Sequence, residues 1–174
     1  EIRPREAVTQ RLIEDLADGQ LDTAIVALPV SDPTLTEMAL FDEDFVLVRP
    51  AGEAHKPVPK PEHLSEMKLL LLEEGHCFRD QALSFCNMAP SVPRDLMEAS
   101  SLSTLVQMVG AGIGVTLIPE MAVPIETRSA DVSVARLPRP RPMRTVGMIW
   151  RKTNPLALQL TEIAGIFRDA VDAE

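Results

Sequence analysis

A chain of 174 residues, 45% apolar and 25% charged, is long enough to bury a core as one domain or as two small lobes. Its net charge of −9 excludes nucleic-acid binding through a basic face of these residues, and 3% aromatics with no tyrosine exclude stacking platforms for bases or sugars. No apolar run approaches the ~20 residues of a membrane span and no basic-plus-apolar leader is present, so the reading is a cytoplasmic protein without a membrane partner.

In chain order, Arg5 to Ala17 carries Ala7, Val8, Leu12, Ile13 and Leu16 at helical spacing, and Asp18-Gly19 ends the predicted helix. Leu21 to Leu28 is an apolar run stopped by Pro29, which predicts a buried strand. Leu35 to Phe41 and Phe45 to Arg49 predict two more strands, and 50–63, with Pro57, Pro59 and Pro61, a surface loop. Lys68 to Leu72 predicts a strand that leads into Glu73-Glu74-Gly75-His76-Cys77. Ser100-Ser101-Leu102 to Gly110 predicts a serine-capped helix closed by Gly112, and Gly114 to Ile118 a strand stopped by Pro119. Arg136 to Pro142 reads as a linker, Thr145 to Trp150 as a strand and Pro155 to Val171 as a terminal amphipathic helix. Strands alternating with helices predict an α/β sandwich with largely parallel sheets.

The chain's only cysteines are Cys77 and Cys86. The segment 78–86 has helix-compatible composition, and nine residues of helix advance ~13.5 Å and turn ~900°, placing the two side chains on opposite faces. A disulfide needs Cα atoms within ~7 Å, so helix and disulfide exclude each other and a chain that makes both must remodel this segment. Cys77 follows a strand and a glycine turn and precedes a helical stretch, where the helix dipole and the nearby His76 and Arg79 favour a thiolate. A thiolate of that kind reduces peroxide to leave a sulfenic acid, which a second thiol condenses to a disulfide. Residue types alone equally allow two buried structural cysteines. They give no metal-ligand spacing, because His55 and His63 belong to a separate loop.

Glu73-Glu74-Gly75-His76-Cys77-Phe78-Arg79-Asp80-Gln81-Ala82 followed by Phe85-Cys86 closely resembles the redox segment of OxyR, the peroxide-sensing branch of the LysR-type transcriptional regulators. The resemblance runs on through Glu6 to Gln10, Gly19 to Asp22, Leu40 to Glu43, Ser101 to Leu105, Met108 to Gly112, Val115 to Pro119 and Arg144 to Gly147, and covers essentially the whole chain. It implies an α/β, two-lobed effector domain like periplasmic binding proteins, with mixed, mainly parallel sheets. Lobe I would comprise 1–45 and 146–174, without its N-terminal part, and lobe II, 46–145, would carry the redox segment. The winged helix-turn-helix of the family has no counterpart here, and the absence of an initiator Met reads as a segment of something longer.

The resemblance further implies a redox sensor rather than an enzyme, with hydrogen peroxide as its signal. Cys77 would be the peroxidatic cysteine and Cys86 the resolving one, while Thr9, His76 and Arg144 would attend the peroxide or the thiolate. No cofactor and no metal are implied. The partners would be further copies of the domain in dimers or tetramers, DNA only through the missing N-terminal domain, and a glutaredoxin- or thioredoxin-type reductant. A LysR-type effector domain that binds a small metabolite between its lobes, with Ser101 holding a carboxylate, is the other reading.

Overall fold

The computed structural model describes residues 2–73 and 98–172. The chain forms two compact units, one from 1–42 with 144–174 and one from 43–143.

In the first unit, helix α1 (Thr9–Ala17) lays Leu12, Ile13 and Leu16 on Ala24, Val26, Leu35 and Ile149. It begins four residues later than the spacing predicts, because Val8 is extended (φ −63°, ψ 149°) and serves as the N-cap. It ends as its sequence requires. Gly19 takes φ +74°, its N–H donates to Leu16 O, and the Gln20 N–H donates to Asp15 O, a Schellman closure open to a residue without Cβ. Strand β1 (Ala24–Leu28) pairs antiparallel with β7 (Met143–Arg151), in a register running from Ala24↔Ile149 to Leu28↔Thr145. That register packs Leu28 against Gly147 so closely that a Cβ at 147 would overlap its side chain. The opposite core joins Leu40, Met148 and Trp150 to Leu160 and Ala164 of α4 (Ala157–Asp172).

Strand β2 (Leu35–Pro50) is continuous where the sequence predicts two strands. The acidic stretch Asp42-Glu43-Asp44 reads as a break, yet each carboxylate finds a donor. Asp42 accepts from Thr145 Oγ1 (2.6 Å), Glu43 from the Met121 N–H (3.1 Å), and Asp44 is paired with Arg141 (3.1 Å).

In the second unit, residues 45–50 of β2 are flanked by β5 (Thr116–Pro119) and β6 (Val132–Arg136), both antiparallel to it. Strand β3 (Leu71–Leu72) pairs in parallel with β4 (Glu98–Ala99), and Leu69 bridges Val115 in parallel. Helix α2 (Leu102–Gly110) follows, capped by Ser101 and closed by Gly112 at φ +76°. A short helix α3 (Val123–Glu126) precedes β6. The core of this unit gathers Phe45 to Val48, Leu64, Leu69 to Leu72, Ala99, Leu105, Val109 and Ile118.

The sheets are mixed, as expected, but the expectation of mainly parallel pairing is corrected for the described ladders. Those of β1–β7, β2–β5 and β2–β6 are antiparallel, and only β3–β4 and the Leu69–Val115 bridge are parallel. Alternation of helix and strand reports the order of elements along the chain. It carries no information on the direction in which distant strands, such as 24–28 and 145–149, meet.

Candidate functional site

His76, Cys77 and Cys86 lie outside the described residues, and so does the predicted helix over 78–86. What the structure gives is the frame from which that segment departs. Leu71 and Leu72 are buried, as is Ala99, and their parallel ladder places the chain leaving β3 beside the chain entering β4. The Glu73 N–H donates to Ala99 O at 3.0 Å and extends that tie by one residue. Both ends of the cysteine-bearing segment are therefore fixed in the core of the second unit.

Thr9 is the first residue of α1 and is half-buried. Its N-cap neighbour Val8 offers no side-chain cap, so the N–H groups of the first turn are not satisfied by it. A hydroxyl beside uncapped N–H groups can donate to a small oxygen ligand or hold water. Arg144 opens the first unit's share of β7, is half-buried and is engaged in an interaction of its own.

Ser101 does not stand ready for a carboxylate. Its Oγ accepts from the Thr104 N–H (3.2 Å) and lies 3.0 Å from Thr104 Oγ1, which is the work of an N-cap. Ser103, two residues on in the first turn, donates to the Glu126 carboxylate. The start of α2 is thus supplied with partners from within the chain, which removes the observation that favoured a metabolite carboxylate there.

Sequence reasoning missed three buried charges. Asp15 is fully buried, 2.7 Å from Arg5 Nη1 and 3.0 Å from Arg11 Nη2. Arg49, 5% exposed, donates to Ala54 O (2.9 Å) and Lys56 O (2.8 Å) and so holds the proline-rich loop by its carbonyls. Glu43, 7% exposed, receives the Met121 N–H. The i, i+4 spacing of Arg11 and Asp15 was a visible signal for the first; nothing local marks the other two.

The first unit also contains a cavity of about 370 Å³ with Leu12, Leu21, Ile25, Met148, Ile163 and Phe167 in its walls. Its lining is mostly apolar, with Arg3, Arg5 and Thr23 as the polar side chains among its walls. Among the described residues no group of His, Cys, Asp and Glu could hold a metal ion, and no helix is long and apolar enough to cross a membrane.

Residues 1–172 match the model of the LysR substrate binding domain. The chain is 40% identical over 177 residues to a probable hydrogen peroxide-inducible genes activator of Mycobacterium avium, covering 99% of this chain and 57% of that protein. Among solved structures it resembles a Corynebacterium glutamicum OxyR cysteine variant with bound H2O2 (TM-score 0.87, 32% identity, 96% of this chain and 54% of that one). It also resembles the reduced OxyR regulatory domain of Pseudomonas aeruginosa (TM-score 0.77, 34% identity, 92% of this chain and 77% of that one). The chain spans about half the length of the curated relatives it matches.

Proposed function

The chain belongs to the LysR substrate-binding-domain family, on its OxyR branch, and on that footing we propose that it is the sensing domain of a peroxide-responsive transcription regulator of the cytoplasm. The observation that carries the reading is the likeness to OxyR proteins over nearly the whole chain, together with two cysteines in a segment pinned at both ends.

The chemistry balances within the domain. The Cys77 thiolate attacks one peroxide oxygen, the O–O bond breaks, and the departing hydroxide takes a proton to leave as water; Cys77 is now a sulfenic acid. The Cys86 thiol attacks that sulfur, the S–O bond breaks, and a second water leaves as the disulfide forms. A dithiol reductant of the glutaredoxin or thioredoxin type returns both thiols. Thr9 and His76 serve the peroxide, as donors to the oxygen on which charge develops, and Arg144 supports the thiolate or the remodelled segment. A helix over 78–86 and a Cys77–Cys86 disulfide would exclude each other, so on this reading oxidation biases a two-state element and reaches DNA through the regulator's separate DNA-binding domain and its oligomer.

Replacing Cys86 with serine tests this. One equivalent of peroxide should consume Cys77 as sulfenic acid, with no disulfide in a non-reducing mass analysis and no change in the hydrogen-exchange pattern that the native protein shows on oxidation. A native-like conformational response in the serine variant would overturn the two-cysteine switch.

A further inference from the structure

We draw no further inference here: the strongest candidate, the mostly apolar cavity of about 370 Å³ in the first unit, bounded by Ile25 of β1 and by Ile163 and Phe167 of α4, carries none because nothing in the structure shows what covers it.

Discussion

Asp15 and Arg49 show how differently a charge can be buried. Asp15 is met by two opposite charges, whereas Arg49 spends its guanidinium on backbone carbonyls of residues 54 and 56. Removing both arginines strands the buried carboxylate, so Arg5→Ala combined with Arg11→Ala should lower the unfolding free energy by about 3 kcal/mol in urea denaturation. Asp32 works at the surface. The Thr34 hydroxyl (2.6 Å) and then the Thr34 N–H (2.8 Å) donate to its Oδ1 and hold its carboxyl below the ordinary value of 3.8. A folded value below the unfolded one stabilises the fold above the ordinary carboxylate range and ceases to do so as pH falls through the lower folded value. Thr34→Val should therefore raise the Asp32 midpoint in an NMR titration. The cysteines were conspicuous in the sequence because their neighbours form a motif. Asp15, Glu43 and Arg49 were not, because a charge is read as exposed until the partner that buries it is known, and Met121, the partner of Glu43, is 78 residues away.

At the scale of elements, the signals that were legible are those written in adjacent residues. Ser101 caps α2 as predicted, and Gly112 closes it with a Schellman pair, Gly112 N–H to Val109 O (2.9 Å) and Ile113 N–H to Met108 O (3.1 Å). Gly112→Ala should cost about 1 kcal/mol, because alanine must adopt φ +76° to keep both bonds. Gly165 is the contrasting case. It lies within α4, and a Cβ there would meet nothing within 4 Å. Gly165→Ala should stabilise the fold by up to about 1 kcal/mol through helix propensity alone, readable as a shift in the urea midpoint. The late start of α1 and the continuity of β2 were illegible for a common reason. Both depend on side-chain partners that adjacent residues do not reveal: Arg5 is held at Asp15, ten positions on, and Asp42 and Asp44 are satisfied by Thr145 and Arg141 of remote segments.

For the molecule as a whole, composition bears on what these residues are not expected to do. With a net charge of −9, the isolated 174-residue chain should give no gel shift with operator-length DNA at physiological salt, while a full-length protein carrying a basic reader should give one. Family and two-lobed architecture were legible from motifs spread along the chain. Strand direction was not, since the ladders join residues as far apart as 24 and 149. Each unit has its own apolar core, with Trp150 in the first and Leu69 to Leu72 in the second. The two-residue β3–β4 ladder has a consequence for repeated use. On the proposed sensing role, a detector read more than once needs a zero point, and residues 71–73 with 98–99 would supply it: amides there should keep their hydrogen-exchange protection through successive cycles of oxidation and reduction, so that every reset begins from the same register.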